Sequence, residues 1–201
     1  MRTAVHAMLA AALLAPAAAR AQPVSSLSGP GPDTYIELHL GAYVPQHRDL
    51  DVVDPGVALG GTFGARFSPY VSAEGGIGWM RASGSEGGSK LPVSDLPITA
   101  SLRLRAPYRF AEVSATGGVG LHVASFSSER RVTPAPDAAL ESMSDTAVAF
   151  GYHVGLGIAF QLSPTMLVGA DVRRTFVEPK FSGIGVRLDG LRAAVTLTYH
   201  L

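Results

Sequence analysis

The sequence contains no cysteine and one tryptophan, and only 16% of its 201 residues are charged. Without cysteine there is no disulfide framework and no thiolate chemistry. Soluble domains carry roughly 25% charged residues, so a chain with 16% and a mean hydropathy of +0.24 has little to offer an ordinary aqueous surface. Yet past the first 21 residues no apolar run approaches the ~18 residues of a membrane-spanning helix. Basic and acidic residues number 16 each, which excludes the basic footprint of a nucleic-acid-binding protein.

What is present begins with an export signal. Arg2 precedes an apolar stretch centred on "MLAAALL" (8–14), and "ARA" (19–21) fits a small-residue cleavage site. Residues 1–21 read as a cleaved signal peptide and 22–33 as a flexible periplasmic leader. The 180-residue remainder, 22–201, loses Arg2 and Arg20 and keeps 14 basic against 16 acidic residues, a net charge of −2. Residues 34–201 form one domain.

That domain is patterned with period 2. Alternating segments fall at 34–44, 57–67, 71–81, 96–105, 110–124, 147–162, 166–176 and 186–201. In the fifth, Val113, Ala115, Val119, Leu121 and Val123 share one face while Glu112, Ser114, Thr116, Gly118, Gly120 and His122 share the other. Each segment is near or above the ~9–11 residues that cross a bilayer as a tilted strand. The spacers alternate: 12, 14, 22 and 9 residues at 45–56, 82–95, 125–146 and 177–185, against 3, 4 and 3 at "SPY" (68–70), "APYR" (106–109) and "SPT" (163–165). Proline presets each short bend. Helical signal is confined to a turn around "PDAALESM" in the longest spacer. Tight turns on one rim and long loops on the other are the layout of an outer-membrane barrel. The fold class expected is an all-β, eight-stranded antiparallel transmembrane barrel whose last strand pairs with its first, because an open edge has no partner in lipid.

The polar face identifies the interior. It carries Glu37, Glu74, Glu112 and Asp171 with Arg66, Arg103, Arg105, Arg173 and Arg192, interleaved with glycine and with His39, His122 and His153. An eight-stranded barrel is only just wide enough inside for side chains. Mixed charge with many glycines therefore suits a filled lumen, in which four carboxylates and five guanidiniums form a paired network. The apolar face carries aromatic residues near strand ends: Phe67, Phe160 and Tyr199 on the short-turn side, and Trp79, Phe150, Tyr152 and Phe176 on the loop side. These are expected to form the two interfacial girdles. Arg174 falls on the apolar face near the loop rim.

Catalytic motifs are sparse. "GIG", "GVG" and "GLG" lie inside strands and none completes G-x-G-x-x-G. "GSEGGSK" (84–90) lacks the spacing of a phosphate loop. The three interior histidines have no H-x-x-H or E-x-x-H spacing for a metal, and no cofactor is expected.

With its signal peptide, eight alternating segments, "PITASLRLRAPYRFAEVSATGGVGLHV" and terminal "GLRAAVTLTYHL", the chain resembles the small outer-membrane β-barrel superfamily, the OmpA-transmembrane-domain, OmpX and OmpW-like group. The resemblance implies an outer-membrane location, contact with outer-membrane lipid and lipopolysaccharide, and insertion by the barrel-assembly machinery. The assembly signal would be Val195, Leu197, Tyr199 and Leu201, with Leu201 where the family usually ends in Phe. It also implies a structural or surface-interaction role, with loops, chiefly 125–146, facing an unknown extracellular partner. An OmpW-like narrow channel for small or hydrophobic solutes is the alternative. A lipid A-modifying enzyme is a third reading, and an enzyme is not expected. The deacylase family's His-x-Ser pair is absent, and His47, Asp49, Asp51, Ser85 and Ser89 are ordinary loop residues. A spin label at Val119 is expected to report hydrocarbon and one at Thr116 a site shielded from it; the reverse result would overturn the assignment of faces.

Overall fold

The computed structural model describes residues 33–46, 53–86, 89–130, 141–181 and 184–201. The proposed signal peptide, and the leader up to residue 32, lie outside them. So do His47, Asp49, Asp51, and residues 131–140 of the longest spacer.

Eight strands close into a barrel: β1 (Asp33–Pro45), β2 (Gly56–Ser68), β3 (Val71–Glu86), β4 (Ser89–Tyr108), β5 (Ala111–Arg130), β6 (Glu141–Ser163), β7 (Met166–Val177) and β10 (Gly190–His200). A two-stranded hairpin, β8 (Lys180–Phe181) with β9 (Ile184–Gly185), sits in the last connection. Every barrel neighbour is antiparallel. Closure is made by β1 on β10, from Tyr35 opposite His200 to Pro45 opposite Gly190. The final amide is also used: Leu201 N donates to Thr34 O at 2.9 Å.

The short turns show why they are short. Pro69 and Pro164 each follow a serine whose Oγ accepts from the amide two residues on, Ser68 from Tyr70 N and Ser163 from Thr165 N. Proline supplies the bend and serine satisfies the freed amide. The third turn differs from expectation. Pro107 lies inside β4 opposite Glu112, and the reversal is made by Arg109–Phe110, with Arg109 at φ 49°.

Two long spacers are much shorter than expected, and the last is longer. β3 and β4 run on through most of 82–95 and pair up to Glu86 opposite Ser89. β5 and β6 continue into 125–146 and pair up to Arg130 opposite Glu141, so the end of "PDAALESM" is strand, not helix. β10 starts at Gly190 instead of 186. Residues 186–189 turn inward, tied by Leu188 N to Val177 O at 3.0 Å and Val186 N to Pro179 O at 2.9 Å.

The cause is a change of solvent along one strand. Below Trp79, Leu96, Val123 and Val148 the outward side chains are apolar, among them Leu38, Leu102, Leu104, Val119 and Leu156, all exposed. Above that level the outward positions are Arg81, Ser83, Ser94, Ser125 and Thr146. The inward ones are Met80, Ala82, Val93, Ala124 and Ala147, all buried. With Tyr43, Ala58, Val177 and Leu188 these form an apolar core capping the loop end of the lumen. Tyr43 Oη donates to Leu188 O at 2.9 Å across it. The alternation continues, but its sense inverts where lipid gives way to water.

Depth-dependent cost follows from this inversion. Val119→Arg is expected to destabilise folding into lipid vesicles by about 2–4 kcal/mol, while Thr146→Arg costs about 1 kcal/mol or less, as read from urea titration of refolding.

Candidate functional site

The densest polar chemistry lies inside the barrel. Period 2 sends Glu37, Glu74, Arg103, Arg105 and Glu112 inward, and all five are buried. Arg103 grips Glu37 with a two-pronged fork, Nη1 to Oε2 at 2.8 Å and Nη2 to Oε1 at 2.5 Å, while its Nε lies 2.6 Å from Glu74 Oε1. Planar guanidinium matches carboxylate geometry in this way, and lysine could not. Thr198 Oγ1 donates to Glu37 Oε2 at 2.9 Å and the Tyr35 hydroxyl donates to Glu74 Oε1 at 2.5 Å.

The network extends in both directions. Towards the short turns, Arg105 Nη1 donates to Glu112 Oε1 at 2.6 Å, and its guanidinium stacks 4.7 Å above the centroid of the Tyr35 ring. Arg66 lies between Glu112, at 3.7 Å, and Asp33, at 3.4 Å; Asp33 in turn meets His200 Nδ1 at 3.0 Å. Towards the middle, His39 lies 3.5 Å from Glu37 and 3.8 Å from Asp171. Arg192 Nη2 donates to Asp171 at 2.6 Å, with Arg173 Nε 4.0 Å away. All nine charged residues expected in the lumen lie there, on one connected set that draws on every barrel strand except β6.

Sequence reasoning missed three interior polar residues, two of them in this network. Asp33 falls in the expected leader, but its carboxylate closes the network at the turn end. Asp95 fell in an expected loop, yet it is buried and 2.7 Å from His122 Nδ1. Tyr35, fully buried, is an aromatic residue on the polar parity. Its neighbour held the signal: Gly64 lies opposite Tyr35, and a Cβ at residue 64 would strike the tyrosine ring. Likewise a Cβ on Gly118 would meet Ser101 Oγ at 2.7 Å and His153 Cε1 at 2.8 Å. Glycine on this face makes room for large neighbours.

The three interior histidines do not converge. His39 Nε2 is 3.0 Å from Thr62 Oγ1, His122 binds Asp95, and His153 Nε2 is 2.9 Å from Ser101 Oγ. Among the described residues no group of three His, Asp or Glu side chains could hold a metal. Free space beside Glu37, Arg103 and Asp171 amounts to about 20 Å³, room for one or two waters.

On the outer surface, Phe67 is exposed near the short turns, Phe160 stacks on Phe110 at 6.4 Å, and Tyr199 lies one residue from the last strand's end. Tyr70 and Tyr108 add to this rim; both fell in expected turns. At the other rim Tyr152 stacks on Phe176 at 4.7 Å, and Arg174 lies 5.0 Å over the Phe176 ring. Phe150 is exposed beside them and Trp79 is half-buried. Val195, Leu197 and Tyr199 face outward on β10, and exposed Leu201 follows its end.

Removing one partner of the central fork strands a buried charge. Arg103→Met is expected to cost about 3–5 kcal/mol. The double variant E37Q/R103M should cost less than the sum of the two single changes, measured by urea unfolding in vesicles.

The family model described as "Outer membrane protein beta-barrel domain" matches residues 7–196. Solved barrels of similar architecture include Neisserial surface protein A, at 10% identity and TM-score 0.54, covering 83% of this chain and 96% of that one. OprG from Pseudomonas aeruginosa aligns at 17% identity and TM-score 0.54, covering 85% and 96%. Ail, the attachment invasion locus protein of Yersinia pestis, aligns at 15% identity and TM-score 0.51, covering 85% and 99%. Identities this low carry the fold alone. No curated protein matches the sequence.

Proposed function

The chain belongs to the outer membrane protein β-barrel domain family, and we propose that it serves as a non-conducting structural barrel that presents a surface for interaction outside the cell. The single observation that carries this reading is the filled interior. Ion pairs occupy the turn-side and central lumen, and an apolar core caps the loop end. A solute path would have to break the Arg103–Glu37 fork and the ion pairs beside it, leaving buried charges uncompensated at a cost of several kcal/mol each.

The interactive surface is the extension of β3 to β6 above the aromatic band, where outward side chains turn polar. This sheet takes the place of the long loop expected at 125–146. Export by removal of residues 1–21, insertion by the barrel-assembly machinery through Val195, Leu197, Tyr199 and Leu201, and residence among lipopolysaccharide complete the proposal. The nine lumen charges act as the internal brace, and the two aromatic rims set the barrel's depth in the bilayer.

In planar bilayers the full-length mature protein is expected to be electrically silent across physiological salt. Discrete, reproducible openings would overturn the plugged reading in favour of a narrow OmpW-like pathway.

A further inference from the structure

A second polar site lies on the outside of the barrel, where the alternation inverts. Arg81 on β3, Ser94 on β4 and Ser125 on β5 are successive cross-strand partners on the outward face. One pleat below Arg81 on the same face is Trp79, and one pleat above Ser125 is Ser127. Together with Pro92 these side chains line an open cavity of about 180 Å³. The ladder between β3 and β4 is interrupted beside it, from Ile77 opposite Ile98 to Met80 opposite Asp95, because Pro97 has no amide to donate.

The chemistry of the lining is specific. One guanidinium, three hydroxyls and an indole converge in a concavity at the level where lipid ends. Arg81 is exposed and joins no ion pair among the described residues. Guanidinium prefers a phosphate or carboxylate partner, hydroxyls suit the donors and acceptors of a sugar ring, and an indole sits naturally at the headgroup boundary with an apolar body and a polar tip. The internal carboxylates are out of reach, for they lie on the opposite parity of the same strands.

We propose that this cavity binds the phosphorylated sugar headgroup of an outer-leaflet lipid, with Arg81 on the phosphate, Ser94, Ser125 and Ser127 on the sugar, and Trp79 packed beneath. The proposal rests on the outer-membrane reading above. It places a fixed lipid beside the protruding sheet and anchors the barrel's depth on that side. Arg174, the exposed cation over Phe176, serves as a comparison because the hydroxyl row is absent from its cross-strand partners Val154 and Leu191.

Trp79 is the only tryptophan in the chain, so its emission reports the site directly. The full mature protein, refolded in phosphatidylcholine vesicles, is titrated with lipid A bearing its glucosamine phosphates, with the dephosphorylated lipid, and with inorganic phosphate alone. Phosphorylated lipid A is expected to change Trp79 emission saturably, and the dephosphorylated lipid and free phosphate should not. Arg81→Ala should weaken half-saturation by roughly tenfold or more, as loss of a charge-assisted contact implies, while R174A stays near wild type. The double variant S94A/S125A tests the same cavity without removing charge and should also weaken binding. The proposal is overturned if R81A matches wild type, if R174A loses as much, if the dephosphorylated lipid gives the same curve, or if inorganic phosphate alone reproduces the change. Heat-modifiable gel migration of each variant reports barrel folding separately, so failure at this site is distinguishable from failure of the barrel assignment.

Discussion

Hydrocarbon has no donor or acceptor to give a peptide group, and the rest of this structure depends on that constraint. Eight strands can meet it only by closing, so the pairing of β1 with β10 is the condition for spanning at all. Closure at eight strands leaves an interior just wide enough for side chains. Whatever points inward must therefore interlock sterically and be paired electrically. The Arg103–Glu37 fork, the Tyr35–Glu74 bond and the Arg192–Asp171 pair follow from that second requirement.

Buried ion pairs are weak evidence for net stability, because desolvation offsets much of the attraction. Their value here lies in register. Glu37 and Arg103 come from strands that are not neighbours, and Tyr35 reaches across to β3. A slip of one residue in any strand would turn its charges into lipid and its leucines into the lumen. The cross-lumen pairs thus reward one arrangement of the eight strands. The glycines belong to the same device: Gly64 admits the Tyr35 ring, and Gly118 leaves space for Ser101 and His153.

The barrel also lives in two solvents. Its strands keep one period throughout, while the meaning of each face reverses near Trp79 and Leu96. Below, charge is inside and leucine outside; above, a small apolar core is inside and serine and arginine outside. The inversion joins a lipid-embedded cylinder to a water-facing sheet along continuous strands, with the β3–β4 ladder interrupted only beside Pro97. The boundary between the two is where an amphiphile's headgroup would rest, and it is where Arg81, the serines and Trp79 meet.

Alternation is a local property with period 2, so the sequence by itself determined the number of spanning strands, the inward and outward faces, and the nine charges that share the interior. The same template, apolar out and polar in, failed where the solvent changes. It ended the third and fifth strands near residues 81 and 124 and began the fourth and sixth near 96 and 147, at the inversion itself. It therefore lost Asp95, the apolar cap and roughly the upper third of four strands. Which carboxylate meets which arginine was decided only by the tertiary structure, because partners across a lumen are chosen by the closed cylinder's register and diameter. Strands far apart in the chain bring His39 to Asp171 and Glu37 to Arg103, and no spacing along one strand encodes that encounter.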